Sequence, residues 1–119
     1  EMEKTPEGQS DPLLAGLPDV SRIFQLHGET VGLTPSMKIL AHGKTCENQI
    51  VKVREHVYGI QGHVELSETM FEDWLAADGD LCRLNRSDLR RDFAAARFEL
   101  EQNCAQFFNN FLKISGLLR

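Results

Sequence analysis

The sequence predicts an α/β fold in which short strands are followed by a helix and a long C-terminal helix. Between residues 22 and 61, apolar residues occur in short runs, and some of these runs alternate with a period near two. After Leu66 the apolar spacing changes to three and four residues, which is typical of amphipathic helices. Apolar residues make up 41% of the 119 residues, enough to build a core.

The strands are predicted between residues 22 and 66, after a loop over 1–21 that is rich in Glu, Pro, Gly, Asp and Ser. Short apolar runs predict strands at 23–26, 37–41, 49–54 and 57–61. Glu55 and His56 separate the last two runs, which indicates a hairpin. Gly59 and Gly62 predict that another backbone or a ligand approaches this part of the chain closely.

Helices are predicted over residues 67–119. Ser67 or Thr69 is a candidate N-cap of the first helix, and Thr69 with Glu72 has the spacing of a capping box. The second helix is predicted to begin near Ser87 and to stop at Gly116. Its predicted buried stripe consists of Phe93, Ala96, Leu100, Cys104, Phe107, Phe111 and Ile114.

Composition argues against several classes of protein. The net charge is −5 and the 13 basic residues are scattered, so we expect no nucleic-acid partner. No apolar run is long enough for a membrane span, and the acidic first ten residues do not resemble a signal peptide. Three widely spaced cysteines favour reduced thiols in the cytoplasm, and none of the pairs has zinc-ligand spacing. We also expect no metal and no cofactor.

His63 and Glu65 form the most informative pair, because they follow a predicted strand and are two residues apart. In extended backbone, residues i and i+2 point to the same side, so Glu65 can reach the imidazole of His63. A carboxylate on one ring nitrogen fixes the tautomer and leaves the other nitrogen free to accept a proton from a nucleophile. The pair suits the base and the orienting group of a catalytic triad, but the spacing alone is a weak motif, because a surface histidine near a glutamate has the same pattern.

The segment Gly-Ile-Gln-Gly-His-Val-Glu at 59–65 resembles the Gly-x-Gln-Phe-His-Pro-Glu signature of class I glutamine amidotransferases. Residues 24–31, which contain His27, Gly28 and Glu29, resemble the His-Gly-Asp stretch of the GMP-synthase-like branch, and 11–18 resemble the loop that precedes it. The resemblance covers about residues 11 to 75. This sequence departs from the pattern at Gly62, where the family has Phe, and at 64, where Val replaces Pro. It departs again at Glu29, which replaces Asp.

The resemblance implies that the chain is the C-terminal half of a flavodoxin-like amidotransferase domain. In such a domain a cysteine attacks the side-chain amide of the substrate glutamine and forms a glutamyl thioester. By this resemblance His63 is the general base and acid, Glu65 orients it, and His27, Gly28 and Glu29 lie near the amino-acid end of the glutamine. The ammonia would serve a synthetase partner subunit, or the enzyme would act as a stand-alone hydrolase.

The nucleophile is expected to lie outside this chain. A nucleophile elbow needs small flanking residues because its turn is sharp, and Cys46 is flanked two positions away by Lys44 and Asn48. Cys82 falls in a predicted interhelical loop, and Cys104 lies on the apolar stripe of the last helix. Since Met2 follows Glu1 and the first predicted strand has no partner before it, we expect a missing N-terminal half that carries the cysteine. Alone, the chain is expected to be inactive.

Two other interpretations fit the same residues. A truncated paralogue could keep part of the fold and act as a non-catalytic protein-interaction module. A metal site could form from His27, Glu29, His63 and Glu65, which have suitable ligand atoms although their spacing matches no recognised metal motif. A half-sheet would expose apolar surface and an open edge, so a homo-oligomer is also an expected arrangement.

Overall fold

The computed structural model describes residues 1–24, 32–44, 46–63, 65–79 and 83–117. Five strands and three α-helices lie within these residues, together with a 3₁₀ turn at Pro12–Leu14. The elements are, in chain order, β1 Met2–Lys4, α1 Pro6–Ser10, β2 Val20–Ser21, β3 Lys38–Gly43, β4 Ile50–Arg54, β5 Val57–Ile60, α2 Glu68–Ala77 and α3 Arg86–Ile114.

The strands form one sheet in the order β2-β1-β3-β4-β5, and every neighbouring pair is antiparallel. The last two strands form the predicted hairpin around Glu55 and His56. The mixed α/β class predicted from the sequence is therefore confirmed, with an antiparallel sheet. Antiparallel strands can be joined by short turns, which is why the β4–β5 signal was readable in the sequence.

The prediction of a loop over residues 1–21 was wrong. This segment contains β1, α1, the 3₁₀ turn and β2, and it supplies one edge of the sheet. Strands of two and three residues carry no readable period, and β1 is specified by pairing with β2 on one side and β3 on the other. Thr5 caps α1 by accepting a hydrogen bond from Gly8 N, and Asp11 caps the 3₁₀ turn in the same way through Leu13 N.

The predicted strand at 23–26 is also corrected. Within its described part, the chain leaves β2 and forms one isolated antiparallel bridge, between Phe24 and His63. The register places the ends of β2, β3 and β5 at the same end of the sheet, since Ser21 and Gly43 both pair with Met2. The segments beyond the two opposite edge strands therefore meet across this end of the sheet.

Helix α2 begins where one of the two predicted caps lies. Ser67 is the N-cap, and its side chain accepts a hydrogen bond from Met70 N at 3.2 Å. The capping box of Thr69 and Glu72 was a wrong prediction, because both residues lie inside the helix. Glu72 instead accepts two hydrogen bonds from the guanidinium of Arg90, each 3.0 Å long, which connect α2 to α3.

The N-cap of helix α3 lies two residues before the predicted Ser87 cap. Asn85 is the N-cap, and its side-chain oxygen accepts a hydrogen bond from Asp88 N at 3.1 Å. The predicted stop at Gly116 is confirmed: the helix ends at Ile114, and Gly116 has φ +79°, a left-handed conformation that glycine adopts without strain.

The buried stripe of α3 is confirmed at four positions and corrected at one. Phe93, Ala96 and Leu100 pack with α2, whereas Phe107 packs against the sheet and the 3₁₀ turn. Phe111 is 47% exposed, and the buried place next to it belongs to Asn110, which is 4% exposed. The amide of Asn110 donates to the carbonyls of Leu13 and Ala15, so a polar side chain fastens the helix to the turn. The spacing of the apolar residues could not predict that Asn110 is buried in place of Phe111. The position of the 3₁₀ turn decides which of the two side chains faces it.

Candidate functional site

His63 lies just beyond β5, where the chain crosses the end of the sheet. Its backbone is fixed by two hydrogen bonds to Phe24: His63 N donates to Phe24 O at 2.8 Å, and Phe24 N donates to His63 O at 3.3 Å. One step earlier, Gln61 N donates to Gln49 O at 2.9 Å and continues the β4–β5 ladder. Backbone hydrogen bonds of the kind found in sheets therefore hold the chain at His63 and at Gln61, two residues before it.

His63 and Glu65 are brought together as their spacing predicts. His63 Nδ1–H donates to Glu65 Oε1 at 2.6 Å, and the two side chains are 31% and 50% exposed. An ion pair this exposed contributes about 1 kcal/mol or less to stability. The contact therefore matters more for orientation: it fixes the tautomer with Nε2 as the remaining nitrogen that can exchange a proton.

Aromatic side chains form a wall beside this pair, which we call the aromatic wall and define as Phe24, Phe71 and Trp74. The ring of Trp74 meets the imidazole of His63 in a T-shaped arrangement, with centroids 4.9 Å apart and planes at 71°. Phe24 contacts both of the other members, at 6.0 Å from Phe71 and 5.9 Å from Trp74. Behind the wall, Phe71 stacks on Phe93 of α3 at 4.3 Å.

The contact of Trp74 with His63 was not anticipated from the sequence. The available signal was its position on α2, three residues after the buried Phe71 and one before the buried Leu75. This spacing places Trp74 on the inward side of the helix. The docking of α2 beside the end of β5, which brings it to the imidazole, is a tertiary fact that no local pattern encodes.

Gly62 makes the close approach that the sequence predicted. A Cβ atom at this position would lie 2.5 Å from Cδ1 of Ile23 and 3.2 Å from Phe24 O. Any side chain here would push the bridging segments apart and displace His63 from its partner strand. At Gly59 the approach is looser, since a Cβ would meet the Cγ2 of Val51 at 3.1 Å.

Three of the predicted site residues lie outside the described part of the chain. These are His27, Gly28 and Glu29, which were assigned to the amino-acid end of the glutamine. Their assignment remains a prediction. The residue at position 64, where the sequence departs from the proline of the signature, also lies outside it.

Cys104 is not an activated thiol. Burial raises the pKa of the Cys104 thiol, and the nearby carboxylate of Glu65 raises this pKa further. At neutral pH Cys104 is therefore held as a thiol, and the thiolate is the nucleophilic form. Cys46 lies in the connection between β3 and β4, where its carbonyl accepts hydrogen bonds from Gly43 N and the side chain of Gln49. Cys82 falls outside the described residues.

The metal interpretation gains no support from the described residues. Among them, no three His, Cys, Asp or Glu side chains gather closely enough to hold an ion. Two of the four candidate ligands, His27 and Glu29, are not described.

A groove of about 500 Å³ opens next to the aromatic wall. Phe24 and Phe71 line it together with Ile23 and the inward residues of α3, and Arg22 and Asp92 lie at its polar rim. Neither His63 nor Glu65 is among the described residues that line this groove.

A second polar cluster, away from the candidate site, was not anticipated from the sequence. Asp11 is 7% exposed, and its carboxylate accepts hydrogen bonds from Tyr58 OH and Lys52 Nζ, both at 3.1 Å. Leu13 N donates to the same carboxylate at 2.9 Å. These hydrogen bonds are all made within the fold, so the cluster holds the 3₁₀ turn against the β4–β5 hairpin.

Among the described helices, none combines the length and the apolar character that crossing a bilayer requires.

Comparison with known proteins shows similarity at the level of the fold. No protein-family model matches the chain, and no curated protein matches it. The fold is similar to that in the crystal structure of SMU.1228c, with a TM-score of 0.76 and 22% sequence identity. The match covers 92% of this chain and 49% of that chain, so this chain spans about half the length of SMU.1228c. At this identity the similarity shows a shared mixed α/β fold.

Proposed function

We propose that this chain forms the His–Glu part of a class I glutamine amidotransferase domain, whose cysteine is supplied by another stretch of polypeptide. The observation that carries the proposal is the 2.6 Å hydrogen bond from His63 Nδ1 to Glu65 Oε1, at a partly exposed strand end. Its support from sequence is the resemblance of residues 59–65 to the family signature.

In the proposed reaction the cysteine thiol transfers its proton to Nε2 of His63, and the thiolate attacks the side-chain carbonyl carbon of glutamine. Glu65 stabilises the imidazolium through Nδ1. The tetrahedral intermediate collapses when His63 returns the proton to the leaving nitrogen, so ammonia departs and a glutamyl thioester remains. Water, deprotonated by His63, then attacks the thioester and releases glutamate and the thiol.

We assign the binding of the amino and carboxylate groups of the substrate glutamine to His27, Gly28 and Glu29, as the resemblance implies. The ammonia passes to an acceptor on a synthetase partner subunit, or to water when the enzyme acts as a stand-alone hydrolase. No cofactor is assigned, because the triad chemistry needs only proton transfer and a nucleophile.

The flavodoxin-like part of the proposal concerns polypeptide beyond this sheet. A flavodoxin-like core is built on parallel strands, whereas each described pairing here is antiparallel. The parallel strands and the nucleophile elbow are therefore assigned to the same complementary half. The coverage of 49% of the SMU.1228c chain is consistent with a fold that occupies one half of a larger one.

The raised pKa of the Cys104 thiol supports the assignment of the nucleophile elsewhere. A carboxylate close to a thiol disfavours the thiolate, which is the opposite of what a nucleophilic cysteine needs. Glu65 is thus suited to orient an imidazolium and unsuited to activate Cys104.

The test is glutamate release from glutamine, measured with the intact protein that contains this chain and with the chain alone. We expect release by the intact protein and none by the chain alone. His63→Ala should lower kcat by about 10²–10⁴-fold, the usual contribution of a general base. Glu65→Gln should lower kcat with little change in KM, because it removes the charge that stabilises the imidazolium.

The hairpin supplies a matched control, since Glu55 and His56 form a second His–Glu contact of 4.0 Å with both side chains at least 72% exposed. His56→Ala and Glu55→Gln should leave glutamate release unchanged. An intact protein without glutaminase activity, or with activity that survives His63→Ala, would contradict the proposal. Release by the chain alone would contradict the assignment of the nucleophile to another polypeptide.

The second candidate is a non-catalytic interaction module. It is favoured by the exposed phenylalanines of α3: Phe98 is 71%, Phe108 58% and Phe111 47% exposed. Large apolar side chains on one helix are typical of surfaces that contact other proteins. The same assay separates the candidates, because the module predicts an intact protein that releases no glutamate.

A further inference from the structure

We propose that Trp74 is a positioning residue for His63, holding the imidazole in one orientation. The inference rests on the proposed function, because it assigns Trp74 a part in the proton transfer through His63. The contact between the side chains of Trp74 and His63 can be measured independently of glutamine hydrolysis.

The position of the indole is set by the core of the protein. Trp74 lies on α2 between Phe71 and Leu75, each 1% exposed, so the helix cannot rotate without expelling buried side chains. Its ring is partly buried and also contacts Phe24 at 5.9 Å. Rings that contact an imidazole by chance at a surface lack this kind of support.

His63 is held from three directions. Phe24 fixes the backbone through the two hydrogen bonds of the bridge, Glu65 holds Nδ1 at 2.6 Å, and Trp74 contacts the ring at 4.9 Å. The backbone bonds leave the imidazole free to rotate, and the Glu65 side chain that holds Nδ1 is half-exposed. The residue before His63 is Gly62, which has no side chain to restrain the ring. Trp74 is therefore the rigid member of the described contacts on the imidazole.

The chemistry of the contact concerns orientation. The centroids of the two rings are 4.9 Å apart and their planes meet at 71°, so the indole limits how far the imidazole can turn. Proton transfer to Nε2 requires that this nitrogen points at the thiol. A contact that keeps the imidazole in the reactive orientation contributes to catalysis, because the reacting groups are already aligned.

The first test uses fluorescence, because Trp74 is the single tryptophan of the chain. His63→Gln removes the imidazole from the contact and should change the emission intensity of Trp74, and acrylamide should quench the indole more strongly in this variant. His56→Gln is the control and should leave both readings as in the wild-type chain. Unchanged emission and quenching in His63→Gln would overturn the contact.

The second test compares two aromatic residues of α2 by NMR of the His63 ring. Trp74→Leu should change the ring-proton shifts and the Nδ1/Nε2 tautomer balance of His63. Phe71→Leu should lower stability and leave both signals in place, because Phe71 contacts Phe24 and Phe93. Trp74→Phe should partly restore the wild-type signals. Equal effects of Trp74→Leu and Phe71→Leu on the His63 ring would mean that Trp74 acts only through stability and would overturn the proposal.

In the intact protein, Trp74→Leu should lower kcat for glutamate release and leave KM within about twofold, since the indole acts on proton transfer. A change in KM alone would contradict a positioning role. The two proposals fail separately: an intact protein without glutaminase activity removes the reaction, whereas the fluorescence and NMR results decide whether Trp74 holds the imidazole.

Discussion

At the scale of single residues, the exposure of a polar contact separates two kinds of role in this protein. The His63–Glu65 contact lies at the surface, where ion pairs contribute little to stability, so its value is the orientation of an imidazole. The Asp11 cluster has the opposite character: the Asp11 side chain is 5% exposed, and Lys52 and Tyr58 both donate to it. A buried carboxylate that lost these donors would be costly to keep in the fold.

The Asp11 cluster predicts that the protein loses stability in alkaline solution. Burial and the negative charge of Asp11 raise the pKa of Tyr58, and hydrogen bonding to Asp11 raises the pKa of Lys52. Both groups therefore keep their protons longer in the folded chain than in the unfolded chain. As the pH rises above about 10, the unfolded chain releases these protons first, and the free energy of unfolding decreases.

Tyr58 is the single tyrosine, so its ionisation can be followed directly by the absorbance of tyrosinate. We expect the midpoint to lie above 10.0 in the folded chain and to return to that value in denaturant. Tyr58→Phe should lower stability at pH 8 and make the loss between pH 9 and pH 11 shallower. His56→Gln, in the same hairpin but 72% exposed, should change neither. A folded-state midpoint below 10.0 would contradict this account.

At the scale of secondary structure, the sequence shows that a helix starts near a capping residue more readily than it shows which residue is the cap. Ser67 was one of two predicted caps for α2 and is the cap that is used. For α3 the predicted Ser87 lies inside the helix, and Asn85 is the cap. Asn and Ser are both favoured at this position. The competing candidates are separated by only two residues, so a local pattern does not choose between them.

The cap assignment is tested by two substitutions at the start of α3. Asn85→Ala should lower the free energy of unfolding by about 1 kcal/mol, because Asp88 N would lose its acceptor. Ser87→Ala should change it by less than about 0.5 kcal/mol, or increase it slightly, because Ala is the better helix former inside a helix. Chemical denaturation of both variants measures the difference. A larger loss for Ser87→Ala would show that α3 begins two residues later.

At the scale of the whole molecule, α3 connects two hydrophobic clusters. Its first half packs with α2 through Phe93, Ala96 and Leu100, and its second half packs on the sheet through Phe107. The candidate site lies where these parts meet, because His63 follows the sheet and Trp74 belongs to α2. The orientation of the site therefore depends on the packing of both clusters against one helix.

Two adjacent phenylalanines test this arrangement. Phe107 is 9% exposed and packs on the sheet cluster, whereas Phe108 is 58% exposed. Phe107→Ala should lower the free energy of unfolding by about 3–5 kcal/mol, through lost burial and the cavity that remains. Phe108→Ala should change it by about 0.5 kcal/mol or less. Denaturant unfolding checks both values. Similar losses at the two positions would contradict the orientation of α3.

The sequence by itself determined the features that depend on local spacing. It predicted the hairpin around Glu55 and His56, the helical regions after Leu66, the stop at Gly116, and the contact between His63 and Glu65. Each of these follows from side-chain periodicity or from the conformation of one residue, which operate within a few positions of the chain.

Only the tertiary structure decided the features that join distant segments. The two strands of residues 1–21 exist because β1 pairs with β2 and β3, and Asn110 replaces Phe111 in the buried stripe because the 3₁₀ turn lies beside it. The contact of Trp74 with His63 likewise requires α2 to dock beside the end of β5. Hydrogen bonds and ring contacts between distant segments depend on how the elements pack, and local propensity carries no information about that packing.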